Sequence, residues 1–418
     1  MSVDHRRTTA NVRVLDARGE PLRDTDVTVE QRRHAFAFGN IGFDLIPLAN
    51  AETTEDAASR AAFGGASLEG LTSLSEHWLE LFNTATLPFY WRGFEPTEGV
   101  PDTERLLTTA HWFADRGVTV KGHPLTWHTL APEWLLGRPD AEVEKLQRGR
   151  IRREVSNFSG VIDTWDAINE VVIMPVFTAE ENAITRLARR IGRIPMIRLA
   201  FTEAREANPA ATLILNDFDL SSAYECLIEG VLEAGIQVDA IGLQTHMHQG
   251  YWGEEKMLAM VDRFARYGLP LHLTETTLLS GDLMPPEIVD LNDYQIPSWP
   301  STPDGEARQA DEIERHYRSL VGHPAVQAIN YWGITDDGAW LGAPGGLIRS
   351  DGTPKPSFDA LKSLIKGEWW LPRSRLRTDA EGRVAVSGFF GDYAIDAHGS
   401  TASVTLAAGT TDLEVRVS

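Results

Sequence analysis

Cysteine is almost absent from this sequence. The single one, Cys226, leaves no possible internal disulfide, so a disulfide-stapled scaffold is excluded and stability has to come from a packed core. Also missing is any apolar run of the roughly 20 residues that a membrane-spanning helix needs. The opening stretch MSVDHRRTTANVRV holds no apolar segment of signal-peptide length. As it stands the chain reads as cytoplasmic, and a secreted chain trimmed of its leader would read the same. Positive charge is scarce: 39 Lys and Arg face 60 Asp and Glu, a formal net charge of -21. Such a surface repels phosphate backbones and anionic lipid, which sets nucleic acid and membrane aside as partners and suits a neutral substrate.

What is present fits a soluble globular chain. Its 418 residues are 42% hydrophobic and 24% charged, enough for one large domain plus a small accessory one. Twelve Trp residues offer flat indole faces, which stack on sugar rings and on core side chains alike. Eight short apolar, β-favouring runs recur: 36–42, 84–91, 119–127, 161–170, 211–219, 240–247, 271–276 and 328–335. Between most of them lie segments of helical spacing, such as 103–117, 196–209 and 254–268, several ending in Gly or Asn-Pro. Strands alternating with helices predict parallel βα units, and eight of them predict an α/β fold, a (β/α)8 TIM barrel.

The two ends of the chain differ from this pattern. Residues 11–31 and 376–418 alternate apolar and polar positions without helical spacing. The N-terminal piece has too few strands to stand alone. The expectation is a small accessory β-sandwich built from both terminal segments, 1–34 and 371–418, around a catalytic barrel over 35–370. The alternative is an N-terminal strand lying on the barrel and a separate C-terminal module. The Pro-rich stretch 280–306 follows the seventh strand and is expected to form a lid or rim of the mouth.

Polar residues break the apolar runs at their C-terminal ends, where a barrel's strands converge on one mouth: His123, Trp127, Asn169, Glu170, Asn216, Asp217, Gln244, His246, Glu275 and Trp332. Glu170 closes the fourth run and Glu275 the seventh. Two carboxylates facing across a cleft are the equipment for breaking a glycosidic bond, one protonating the leaving oxygen while the other attacks the anomeric carbon or activates water. The plainer reading gives one of them to a structural ion pair. His246 and His248, with His123 and His128 nearby, also invite a metal. Hydrogen-bonding histidines account for the cluster, so no metal and no cofactor is expected. His248 could simply pack, Asp217 reads as structural, and Cys226 reads as an inert core thiol.

These motifs together resemble glycoside hydrolase family 10, the xylanase family, over about 36–366. WDAINE (165–170) resembles its acid/base motif and LTET (273–276) its nucleophile motif. GHPLTWH (122–128), IGLQTHMH (241–248) and YWGITDDGAW (331–340) resemble its strand-3, strand-6 and strand-8 motifs, and the Pro-Lys-Pro of 354–356 its closing segment. The resemblance implies a retaining hydrolase with Glu170 as acid/base and Glu275 as nucleophile. Asn169 would bond the sugar 2-hydroxyl. Gln244 and His246 would hold the Glu275 carboxylate and its sugar. His123 and Trp127 would line the glycone side, and Trp332 and Trp340 would stack near the ring. A Glu275 bonded to His246 should stay ionised, while Glu170, in an apolar surround beside that anion, should hold its proton to higher pH.

The family pattern breaks in the second run. Where the family has Asn and Lys gripping the second glycone sugar, this chain has Leu87 and Tyr90, an apolar and aromatic wall. Two residues beyond the nucleophile, Thr277 stands where an Asp is common. The expected substrates are therefore short xylo-oligosaccharides or small β-glycosides. The competing readings are an ordinary endo-1,4-β-xylanase on polymeric xylan, another retaining barrel β-glycosidase, and a non-catalytic sugar-binding barrel. Nothing in the sequence sets the oligomeric state.

Overall fold

The computed structural model describes residues 2–59 and 64–417. Two strands come first, β1 (Arg7–Leu15) and β2 (Asp26–His34). The eight runs read from the sequence follow as β3 (Ala37–Ile41), β4 (Thr84–Pro88), β5 (Thr119–His123), β6 (Ile162–Asn169), β7 (Thr212–Asp217), β8 (Ala240–Met247), β9 (Leu271–Leu278) and β10 (Val326–Tyr331). Neighbours pair in parallel, and β10 closes onto β3 through Asn330 opposite Gly39, giving a closed eight-stranded barrel. Helices wrap it because their apolar residues recur at helical spacing. Thr103–Ala114 buries Leu106, Ala110 and Phe113; Glu254–Ala265 buries Met257, Val261 and Phe264. Inside the strands space is tight. A Cβ at Gly122 would lie 2.1 Å from the Trp165 indole on the next strand, so only glycine fits there.

Both chain ends build the accessory domain. The last five strands are β11 (Ser374–Arg377), β12 (Arg383–Phe389), β13 (Gly391–Ala397), β14 (Ser400–Leu406) and β15 (Asp412–Arg416). One sheet runs β12-β1-β15 and the other β11-β2-β13-β14, so each N-terminal strand sits in a different sheet. The alternation on β1 turns Ala10, Val12 and Val14 inward, against Val29, Val386, Ile395 and Leu406. A separate C-terminal module is ruled out by this pairing. Arg6 ties the sandwich to the barrel: its guanidinium is buried and donates to the carbonyls of Val321 (2.7 Å), His323 (2.8 Å) and Val326 (2.5 Å).

Two expectations need correction. Cys226 is exposed, because the helix Ser222–Glu233 buries the stripe Tyr224, Leu227, Ile228 and Val231, which Cys226 does not share. Leu87 does not border the mouth. It is fully buried among core residues close to Gly42. Among the described residues no helix is long and apolar enough to cross a membrane.

Candidate active site

The polar strand ends meet at one mouth, and strand register decides which face which. Asn169 on β6 pairs with Asn216 on β7, and Gln244 on β8 with Glu275 on β9. Glu170 follows β6 immediately and adopts a positive φ of 55°. A non-glycine residue there is strained by roughly 1–2 kcal/mol, a kind of strain that clusters at working sites. Its N–H donates to the Asn216 carbonyl (2.9 Å).

The two carboxyl groups have contrasting neighbours. Glu170 accepts from the Trp127 indole N–H at 2.7 Å, from Asn169 Nδ2 at 3.3 Å and from Gln244 Nε2 at 3.4 Å. Burial, with the Glu275 charge adding to it, outweighs these bonds and pushes its pKa up to about 8. Glu275 accepts from Asn216 Nδ2 (3.0 Å), has His246 Nε2 at 3.1 Å on its other oxygen, and has His123 Nε2 at 3.9 Å. Burial raises it, but His123 and His246 together outweigh burial and hold it below the usual carboxylate range. Two carboxyl groups in one mouth are thus biased to opposite protonation states.

Around them the expected residues fall into place as follows. His123, on β5, sends Nδ1 to Asp166 at 2.6 Å. His246 places Nδ1 2.9 Å from the Thr277 hydroxyl, so a neutral side chain supports it where the family resemblance implies an Asp. Trp332 packs edge-on to His123, and Trp340, partly exposed on the rim, packs on His246 and His248. Tyr90 meets His123 edge-on, with ring centroids 5.6 Å apart, and lies 5.5 Å from Trp127. Burial and then the charges of Glu275, Glu170 and Asp166 raise the Tyr90 phenol, which keeps it neutral. Gln244 is where it was expected but bonds differently. Its amide reaches Asn169 Oδ1 (3.0 Å) and Glu170, and the donor to Glu275 is Asn216. Asn169 Oδ1 is shared by Gln244 and Asn216, which fixes the amide with Nδ2 toward Glu170.

Sequence reasoning passed over one group beneath these. Asp166 is wholly buried, takes Lys121 Nζ at 2.7 Å as well as His123, and is held below the usual range because the Lys121 ammonium and the hydrogen-bonded His123 together outweigh its burial. The signal was available: Lys121 and His123 alternate on one strand, two polar, basic side chains in an apolar run. Asp217 accepts from the Val172 N–H at 3.0 Å, and burial pushes it up to about 7, so it braces the turn behind Glu170. His128 and His248 are buried and packed on Phe177, and on Trp340 and Trp299, and burial lowers both to about 3. Among the described residues no group of three or more His, Cys, Asp or Glu is placed to hold a metal ion. Within the stretch 280–306, Met284 and Trp299 pack with Leu279 and Ala343 in a small apolar cluster of their own, and from Pro303 the chain is helical.

Comparison with known proteins gives the chain's family and fold likenesses. Endo-1,4-beta-xylanase B of Thermotoga neapolitana is 29% identical over 264 residues, 59% of this chain and 69% of that protein. Anti-sigma-I factor RsgI6 of Acetivibrio thermocellus is 23% identical over 397 residues, 93% of this chain but only 45% of that protein, so the chain spans less than half of that relative. Among solved structures, xylanase 10B of Thermotoga petrophila RKU-1, in complex with xylobiose, superposes with a TM-score of 0.62 at 24% identity, over 80% of this chain and 95% of that one. Xylanase 10B of Thermotoga maritima gives 0.61 at 22%, over 80% and 96%. These two likenesses speak to the fold. The family model for glycosyl hydrolase family 10 matches residues 82–364, most of the barrel, and the chain belongs to that family.

Proposed function

We propose that this chain is a retaining, xylanase-like β-glycoside hydrolase in which Glu275 is the nucleophile and Glu170 the acid/base. The observation that carries the reading is the opposite bias of the two carboxyl groups, one held ionised and the other held protonated to about pH 8. In the first step a Glu275 oxygen bonds to the anomeric carbon while the Glu170 proton passes to the departing glycosidic oxygen. In the second step water attacks that carbon, gives its proton to the Glu170 carboxylate and releases Glu275. Asn216, His246 and His123 orient Glu275, and Trp127 orients Glu170. The xylose-type substrate class is taken from the xylanases that the chain resembles.

Within that class the reading favours short xylo-oligosaccharides and small β-glycosides over polymeric xylan. With Leu87 in the core and a neutral phenol at Tyr90, neither position offers the charged or amide donor that the family resemblance implies for a second sugar. Losing two such bonds costs about 2–4 kcal/mol on a long chain. A binding-only role is the second reading, raised by the relative named as an anti-sigma factor. Proton NMR of the first product decides the mechanism: the β-anomer must appear before mutarotation. An α-anomer as first product refutes retention, and no turnover on any aryl β-glycoside returns the protein to the binding-only reading.

A further inference from the structure

On one side of Glu275 the mouth is walled. Phe43, just past β3, is 6% exposed and sets its ring against Tyr90 (6.0 Å, perpendicular) and Trp332 (5.8 Å). Tyr90 in turn packs on Trp127. Trp127, Tyr90, Phe43 and Trp332 therefore form an unbroken aromatic arc across the ends of β5, β4, β3 and β10. Behind the arc the loops after β3 and β10 are zipped together. The buried Asp44 carboxylate accepts from the N–H groups of Gly65 (2.8 Å) and Ala66 (3.1 Å). Gly65 lies so close to Gly338 that a Cβ on it would sit 2.4 Å from the Gly338 nitrogen, so neither glycine admits a side chain without parting the loops.

The opposite side of the mouth is open. Phe218, the first residue past β7, is 47% exposed, and Val176, in the turn that follows Glu170, is 61% exposed. The orientation of the substrate follows from the roles proposed above, on which this inference rests. The sugar under attack lies over Glu275, among His123, Trp332 and Tyr90, and the leaving group lies toward Glu170. The walled side is then the side of the sugar under attack, and the open, apolar side takes the leaving group.

We infer that the mouth is a pocket rather than a through-going cleft. It admits one sugar behind the bond to be cut, so the enzyme removes single residues from the non-reducing end. A chain that continued past the attacked sugar would run into Phe43 and the Asp44–Gly65–Gly338 seam. The leaving side, with Phe218 and Val176 exposed, accepts both sugar and apolar aromatic aglycones.

The test is a time course on xylohexaose labelled at its reducing end, with an aryl β-xyloside run alongside. The expected first products are xylose and labelled xylopentaose, then labelled xylotetraose. The double variant Phe43→Ala, Tyr90→Ala should open the wall and raise the initial xylobiose fraction at least tenfold. Wild-type enzyme that hydrolyses the aryl xyloside yet first cuts xylohexaose internally, to xylobiose or xylotriose, overturns the pocket and leaves the hydrolase reading standing. Wild-type enzyme that hydrolyses neither substrate, nor any other aryl β-glycoside, overturns both.

Discussion

Substituting Glu170 by Gln should make the protein more stable, by an amount that grows as pH rises from about 4.5 to about 8 and is level above that. Raising a carboxyl from 4.5 to about 8 disfavours its ionised form by about 5 kcal/mol, at about 1.36 kcal/mol per tenfold change in proton affinity. Part of the Glu170 side chain opens to the mouth, and solvent screening brings this to roughly 2–3 kcal/mol. The fold favours the protonated carboxyl. Its contribution is therefore fully present below the unfolded value near 4.5 and is lost as pH rises through about 8. Gln is neutral throughout and of the same shape, and its carbonyl can still accept from Trp127. Near pH 4 the two proteins should then have similar stability, while at pH 9 the Gln variant should be stronger by about 2–3 kcal/mol. Urea midpoints of both proteins from pH 4 to 9, with their m-values checked for equality, measure the difference. A difference that stays flat across that range, or a variant that is weaker at pH 9, would show that Glu170 is not held protonated by its surroundings.

Four other outcomes are expected. Glu275→Gln should abolish turnover and, by removing the neighbouring anion, lower the Glu170 titration midpoint by about a unit or more; a carbon-13 NMR titration of the Glu170 carboxyl that leaves the midpoint unmoved contradicts the coupling. Trp127→Phe deletes a bond to the ionised form of Glu170, so the alkaline limb of the pH–rate profile should move up while kcat/KM falls roughly tenfold or more; an unshifted limb contradicts this. Leu87→Asn places an unpaired amide in the core and should cost about 1–3 kcal/mol by urea midpoint without improving kcat/KM on xylohexaose; improved hydrolysis of the long chain would reverse the placement of Leu87. Deleting β11–β15 removes every partner of β1 and β2, so the truncated chain should be insoluble; a soluble product with unchanged Tm contradicts that dependence.

The barrel was legible in the sequence because a sheet buried on both faces writes itself as apolar runs of strand length, and each of the eight runs holds a strand. The residues at the mouth were legible because polar side chains at strand ends break those runs. Less legible was which group bonds which. Gln244 and Asn216 both carry an amide on neighbouring strands, and only the register and the rotamers decide that Asn216 serves Glu275 while Gln244 serves Asn169 and Glu170. Leu87 and Cys226 were misplaced for a related reason. Sequence position gave the element each occupies, but not which side of it meets the core. Phe43 went unread because one phenylalanine after a strand has no local mark of function, and its meaning comes from Tyr90 and Trp332, far away in the chain.

The sandwich joined from both ends also bears on how the chain is made. His34 ends β2 and Ser374 begins β11, so 374 − 34 = 340 residues must be added before the first C-terminal partner starts to emerge. At about 5–20 residues per second a ribosome takes roughly 17–70 s to do so. Through that interval Ala10, Val12 and Val14 present an apolar face with nothing to lie against, and both strands carry open edges. The outward face of β1 carries Arg7 and Arg13, charges that discourage two nascent chains from pairing along it. Yield in a fast-translating host should therefore be limited by the waiting time of the first two strands, and slower elongation alone cannot help, since it lengthens that wait.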